Sequence, residues 1–292
     1  MRMNEKAVRA AFQGEPGAYS EEAAARLLGK EMLGVPRPTF EAAFRAIAEG
    51  AADVLVVPIE NSLAGSVLRV YDLLLESDLT ITAETILPIE LHLIACPGAT
   101  LATVRSVESH PMALAQCERL FAAHAQWKRV AAEDTAGSVR AVLEGGDRAR
   151  AALAGRGAAV RYGGIILAAN VQDNSGNFTR FLLLAPGAAA QACGGDKATL
   201  ALRVAHLPGA LVAALEPFAR HGVNLLKIES RPIHGCPWEY QFFLDVEASS
   251  NAPMEEALAA VRERAQSVRV LGRYPAAWAG METSNPVLGR SA

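Results

Sequence analysis

The stretch Ala7-Val-Arg-Ala-Ala-Phe-Gln-Gly-Glu-Pro-Gly-Ala-Tyr-Ser-Glu-Glu-Ala-Ala24 runs from an apolar segment through a turn holding Gly14, Pro16 and Gly17 into a helix start. Ser20 sits where an N-cap belongs, and Glu21 and Glu22 complement the dipole of the first turn. The turn has two readings. It is a well-capped strand-to-helix connection, or its backbone N–H groups hold an anion. It is not the dinucleotide fingerprint, because Gly14 and Gly17 do not fit G-x-G-x-x-G. The one G-x-G, Gly155-Arg-Gly157, runs on to Val160 in place of a third glycine.

The same alternation continues outward. Apolar runs at 7–12, 54–57, 91–95 and 151–154 read as buried strands, and 21–28, 41–49, 112–123 and 135–144 read as helices. Strands alternating with helices favour an α/β fold with a largely parallel sheet. Such sheets bind ligands beyond the carboxyl ends of their strands, so the loops there are the place to look for chemistry.

Ala185-Pro-Gly-Ala-Ala-Ala-Gln-Ala-Cys-Gly-Gly-Asp196 has nothing to anchor a core and reads as a linker. Beyond it the pattern shortens. Strands are expected at 200–205, 225–230, 241–246 and 268–271, with helices at 210–221 and 255–265. The order β-α-β-β-α-β is the ferredoxin-like unit, a binding or assembly module.

Composition narrows the class. The 292 residues are 51% hydrophobic and 20% charged, enough apolar material for cores and too little charge for disorder. A net charge of −3 gives no electrostatic reason to expect nucleic acid or an anionic membrane surface. Cys96, Cys117, Cys193 and Cys236 show no paired spacing, so a reducing compartment is expected over a disulfide framework or a zinc knuckle. The start lacks the long apolar segment of a secretory signal, and no run approaches the roughly 20 apolar residues of a membrane span. The chain reads as cytoplasmic, soluble and globular.

Two further stretches carry candidate chemistry. In Val57-Pro-Ile-Glu-Asn-Ser-Leu-Ala-Gly-Ser66 a strand ends in a carboxylate, an amide and a hydroxyl on consecutive residues. In Gln172-Asp-Asn-Ser-Gly-Asn-Phe-Thr-Arg-Phe181 a polar, glycine-containing loop enters an apolar strand. If 179 onward is extended, Asn177, Thr179 and Phe181 share one face while Arg180 points the other way. Asn177-Phe-Thr179 also fits a glycosylation triplet, irrelevant to a cytoplasmic chain. The six histidines include no i,i+4 metal pair, and there is no phosphate-binding P-loop and no G-x-S-x-G elbow. His110 opens a helix and reads as structural. These residues describe a cleft-type α/β domain joined to a small binding module, without naming a substrate.

In their order the segments resemble the prephenate dehydratase family and its relatives, the arogenate dehydratases. The matching stretches are 14–24, 57–67 with Glu60-Asn61-Ser62, Ser109-His110-Pro111 with Ala115-Gln116-Cys117, Asp134-Thr135-Ala136 and 177–181. Downstream come Pro208-Gly-Ala-Leu-Val212, Lys227-Ile-Glu-Ser-Arg-Pro232 and Leu271-Gly-Arg-Tyr-Pro275. The resemblance implies a two-lobed catalytic region like that of periplasmic binding proteins over 1–187 and a linker over 188–197. A ferredoxin-like ACT domain over 198–278 and an irregular tail over 279–292 complete the expected organisation. It further implies conversion of prephenate to phenylpyruvate with loss of water and carbon dioxide. Aromatisation drives that reaction, so neither cofactor nor metal is expected.

Carried over residue by residue, Thr179 is the essential hydroxyl. Asn61, Ser62 and Asn177 are expected to support it and hold substrate, with Phe181 against the ring, Arg180 at a carboxylate or bracing the lobes, and Ser20 and Ser109 as further substrate contacts. Gly209, Ala210, Leu211, Val212, Asn224, Leu225, Glu229 and Ser230 match the segments that bind phenylalanine between two ACT modules, which implies a homodimer or homotetramer. Three positions depart from the family pattern: Met112 for glutamine, Gly155 for serine and Leu226 for threonine. Gln13-Gly14 and Gly17-Ala-Tyr-Ser20 lean toward the arogenate dehydratases. The alternative functions are arogenate dehydration and an amino-acid sensor that has lost catalysis.

Overall fold

The computed structural model describes residues 7–187, 194–233 and 235–277. Cys193, most of the expected linker and the expected tail from 279 lie outside the described residues. The chain forms two compact units, one of Met1–Val70 with Thr85–Phe181 and one of Tyr71–Glu84 with Leu182–Ala292.

In the first unit, strand β1 (Arg9–Gln13) leads to helix α1 (Tyr19–Leu28), β2 (Leu33–Arg37), α2 (Phe40–Ala48), β3 (Val54–Asn61) and the short β4 (Gly65–Ser66). Strand β1 pairs in parallel with β2 on one side and β3 on the other. Both pairings come through a crossover helix, as parallel pairing requires. Ala10, Ala11 and Phe12 are fully buried, which explains the unbroken apolar run.

The chain then forms helix α3 (Leu68–Glu76) and strand β5 (Leu79–Pro88) before a second lobe of β6 (His92–Ala95), β7 (Ser106–Ser109), α4 (Pro111–Ala115), α5 (Glu118–Ala123), β8 (Lys128–Ala131), α6 (Thr135–Gly145), β9 (Arg150–Ala154), α7 (Arg156–Tyr162) and β10 (Ile165–Ala168). Its sheet order is β10-β6-β9-β7-β8. This sheet is mixed, not largely parallel. Strand β7 runs parallel to β8 and β9, while β6 runs against β9 and β10.

Two local expectations are corrected. Ser20 is not the N-cap; Ala18 is, in extended conformation and without a side-chain cap, so Ser20 lies buried in the first turn. The helix expected over 112–123 is broken at Gln116 and Cys117. There the Gln116 carbonyl accepts from Asp173 N (2.7 Å), and the Asp173 carboxylate caps the restarted helix at Glu118 N (2.6 Å) and Arg119 N (3.1 Å). Partners supplied from a distant loop outcompete the i→i−4 bonds that would have joined the two turns.

Strand β11 (Phe178–Pro186) is followed in the second unit by β12 (Lys197–Arg203), α8 (Ala210–Arg220), β13 (Asn224–Pro232), β14 (Tyr240–Glu247), α9 (Asn251–Arg262) and β15 (Ser267–Tyr274). The order β13-β14-β12-β15, antiparallel throughout, is the ferredoxin-like arrangement expected from the sequence. Its core joins Leu200, Leu202, Phe218, Leu244, Val246, Met254, Leu258 and Val261. Beyond β15 lies β5, which the sequence left unassigned. It approaches through the single pairing Gly272↔Ile81, and a Cβ at Gly272 would overlap the Ile81 carbonyl, so the glycine is required by the close approach. Among the described residues no helix is long and apolar enough to cross a membrane, and no group of His, Cys, Asp or Glu is arranged to hold a metal ion.

Lys197 donates to both carboxylate oxygens of Glu84 at 2.9 Å, with side chains 3% and 0% exposed. Removing one partner of such a pair strands a charge in a site water does not reach. Glu84→Gln is therefore expected to cost about 3–5 kcal/mol in denaturant unfolding, whereas Glu216→Gln, which touches exposed pairs with Arg220 and Arg264, is expected to leave stability nearly unchanged. Equal losses would contradict this account of the second unit.

Candidate active site

Asn61 ends β3, and its loop returns at once through β4 with Asn61 opposite Gly65. Its Oδ1 accepts from Leu63 N (3.0 Å) and Ala64 N (2.8 Å), which fixes which end of the amide is oxygen. The Nδ2 group therefore faces β11, where it donates to Asn177 Oδ1 (2.7 Å), Thr179 Oγ1 (2.9 Å) and the Phe178 carbonyl (3.1 Å). Two hydrogens serve three acceptors, so one is shared. Asn177 passes the chain on, its Nδ2 donating to Gln116 Oε1 at 3.0 Å. Thr179 Oγ1 accepts from Asn61 and has no acceptor for its own proton among the described residues. That proton is available to a ligand.

These groups open on a cavity of about 590 Å³ whose lining includes Gln13, Ser20, Asn61, Val67, Ile89, His110, Met112, Gln116, Thr135, Asn177, Thr179 and Phe181. No Lys or Arg is among the described lining residues. Instead the first residues of α1 (Tyr19, Ser20), α2 (Phe40, Glu41), α4 (Met112, Ala113) and α6 (Thr135) reach it. Helix starts carry the positive end of the dipole; here Thr39, His110 and Asp134 already accept from Ala42 N, Met112 N and Gly137 N, and the carboxylates of Glu41, Glu133 and Asp134 share the lining, so the N–H groups left for an anion are those of the outermost residues of each start.

Two groups near this network stay protonated around neutral pH. Burial pushes the Tyr19 phenol far above its ordinary range, so it stays neutral and donates to the Glu90 carbonyl (2.7 Å). Burial, reinforced by Asp173, pushes the Cys117 thiol up to about 12, which removes it as a nucleophile near neutral pH.

The strand alternation places Asn177, Thr179 and Phe181 on the cavity. Arg180 faces the other way, 9% exposed, with Glu60 at 3.4 Å. It does not line the cavity. Ser62, exposed, does not line the cavity either; it donates to the Gly176 carbonyl (2.7 Å) and accepts from Phe178 N (2.9 Å), so it braces the two site loops. Ser109 is fully buried and donates to the Leu153 carbonyl (2.6 Å). Gln116 joins the network without having been singled out as a site residue. Its signal was present in Ala115-Gln116-Cys117, hidden by the expectation of a continuous helix.

The departures from the family pattern acquire local meaning. Met112 is 47% exposed on the cavity wall. Gly155 faces the Tyr19 ring so closely that a Cβ would sit 3.0 Å from it, so glycine here and the half-buried tyrosine belong together. Leu226 is exposed on β13. In the second unit Gly209 is the left-handed N-cap of α8 (φ 80°), with Ala210, Leu211 and Val212 in its first turn. Asn224 and Leu225 open β13, which continues through Glu229 and Ser230. A cavity of about 390 Å³ beside them is lined by Leu207, Pro208, Leu211, Tyr240 and Phe242.

Residues 10–189 match the family model for prephenate dehydratase, and residues 198–263 match that for the ACT domain. Arogenate dehydratase/prephenate dehydratase 6 of Arabidopsis thaliana is 40% identical over 286 residues, covering 92% of this chain and 69% of that protein. A prephenate dehydratase from Arthrobacter aurescens, solved with L-Phe, superimposes with a TM-score of 0.83 at 32% identity, covering 92% and 90% of the two chains. The structure of GqqA, described as a novel type of quorum quenching acylase, superimposes with a TM-score of 0.84 at 36% identity over 92% and 98%. With one family model spanning more than half its length and a relative this similar, the chain belongs to the prephenate dehydratase family, lyases of phenylalanine biosynthesis, and carries a C-terminal ACT domain.

Proposed function

We propose that this chain converts prephenate to phenylpyruvate, and that Thr179 is the catalytic residue. The observation that carries the reading is the Asn61–Thr179 bond, which leaves the threonine proton unspent at the cavity. As the ring carboxylate departs as carbon dioxide, its electron pair enters the ring and the ring C–O bond breaks. The leaving oxygen then takes a proton and departs as water. The Thr179 O–H donates to that oxygen, and the Asn61 N–H on Oγ1 stabilises the charge the hydroxyl gains. A preorganised donor of this kind contributes about 10²–10³-fold. Thr179 regains its proton from solvent, so that net the prephenate dianion and one proton give phenylpyruvate, carbon dioxide and water as the ring becomes aromatic.

The starts of α1, α2 and α6, with Gln116 Nε2, hold the two carboxylates. Asn177 orients Asn61, Phe181 packs against the ring, and Ser20 adds a polar contact. Ser62, Ser109 and Arg180 act without lining the cavity, Arg180 through Glu60. The domain limits that go with this reading are 1–187 for catalysis, 188–197 for the linker and 198–278 for regulation, in a cytoplasmic enzyme.

The second reading is arogenate, which bears an ammonium where prephenate has a keto oxygen. The carboxylate of Glu133 on the cavity lining favours it. The acylase activity described for GqqA finds no support in this geometry, since Thr179 here is bonded to an amide and not to a base. Phenylalanine is the effector, held by 209–212, 224–225 and 229–230 between two copies of the second unit. Exposed Leu226, Ile228, Trp238 and Tyr240 and the edge position of β13 support pairing into a dimer or tetramer.

The test is turnover of prephenate and of arogenate by the full chain, each with and without phenylalanine. Prephenate turnover suppressed by phenylalanine is the expected result. Faster turnover of arogenate keeps the chemistry and moves the substrate, while no turnover of either defeats the reading. Thr179→Ala is expected to lower kcat by about 10²–10⁴-fold with KM within a few fold, and Thr179→Ser to retain most activity. Near-full turnover by Thr179→Ala would remove Thr179 from the mechanism.

A further inference from the structure

The segment between Val67 and Ile89 leaves the cavity wall and comes back to it. Ala64 and Val67 line the cavity on its entry side, Ile89 and Leu91 on its return. Between them, Tyr71–Glu84 is counted with the second unit, where side chains of the ferredoxin-like fold hold it at several points. Arg231 Nε and Nη2 donate to the two oxygens of Asp72 (3.2 and 2.7 Å). Arg269 donates to the Leu75 carbonyl (2.9 Å) and to the Ser77 carbonyl at the end of α3. The Tyr71 ring lies 4.7 Å from that of Phe243, and Ile81 pairs with Gly272.

Among these holds Arg231 is singular. It stands on the edge strand β13, immediately after Glu229 and Ser230 and one strand pitch from Glu229 on the same face. We propose that Arg231, through Asp72, is a positioning residue that couples the effector segment to the walls of the catalytic cavity by way of α3 and β5. This rests on the regulatory reading given under Proposed function. A shift of β13 when an amino acid binds beside Glu229 moves the guanidinium, and the bidentate fork carries Asp72 with it. Asp72 lies in α3 and Val67 immediately precedes that helix, so displacement at Asp72 is carried along the helix to Val67. Strand β5 delivers the same displacement to Ile89. Both ends act on groups that shape the space around Thr179, so the coupling needs no direct contact between effector and substrate.

The experiment uses the full chain and measures phenylalanine binding by calorimetry alongside inhibition of prephenate turnover. Asp72→Asn keeps the shape and removes the charge. It is expected to bind phenylalanine within about threefold of the parent while the concentration for half-inhibition rises at least tenfold. Arg231→Lys keeps the charge and loses the fork. It is expected to separate binding from inhibition in the same direction, which keeps the question answerable if Asp72→Asn folds poorly. Glu216→Gln, which removes a carboxylate from the same unit, is expected to leave both quantities unchanged. A pair with a stabilising role only would lower the melting temperature and keep binding and inhibition in step; that result in either variant overturns the inference. A parent enzyme that turns over prephenate but ignores phenylalanine defeats the regulatory reading, and this inference falls with it.

Discussion

The site depends on the orientation of one side-chain amide. Asn61 receives two backbone N–H groups on its oxygen from its own loop and spends its nitrogen on β11. Turning the amide over would set N–H against N–H on one side and oxygen against oxygen on the other. Each satisfied bond adds only about 1 kcal/mol net, but leaving a buried partner unmet costs about 1–3 kcal/mol. The arrangement is therefore held more by the penalty of disorder than by the strength of any link. The tight β3–β4 return, the entry of β11 beside β3 and the break between α4 and α5 all serve the same network, because each supplies one of its members.

A dianionic substrate would suggest a pair of arginines, yet the cavity has none among its described lining residues. The starts of α1, α2 and α6 bring positive dipole ends to its wall beside the carboxylates of Glu41, Glu133 and Asp134, and much of the rest of the wall is apolar. Arg180 illustrates the division of labour. Its neighbours Thr179 and Phe181 face the substrate space, while the guanidinium, one residue out of phase, meets Glu60 on β3 and fixes the two strands to each other.

Much of this was legible in the sequence. The apolar runs and helical spacings located the alternating elements and the whole ferredoxin-like order, and strand periodicity alone put Thr179 and Phe181 together and Arg180 opposite. The misreadings have physical causes. The helix across Gln116 looked continuous because local propensity cannot register Asp173, some 55 residues away, as a competing cap. Ser20 looked like an N-cap because serine favours that position, whereas the helix begins earlier with no side-chain cap at all. Over 68–88 the sequence predicts no element, although Val70, Tyr71, Leu73 and Leu74 are buried at helical spacing. No pattern within it signals that its centre packs with a fold more than a hundred residues downstream.

The central claim is that the proton donor at the leaving oxygen is an alcohol held by an amide, so the catalytic groups do not titrate near neutrality. The most direct test is the pH dependence of kcat/KM for prephenate between about pH 6 and 8.5, a range in which Thr, Asn and Gln carry no ionisation and carboxylates are already charged. The account predicts a flat profile. A limb within this range that disappears in His110→Asn would contradict it, and would hand the acid role to the imidazole on the cavity wall.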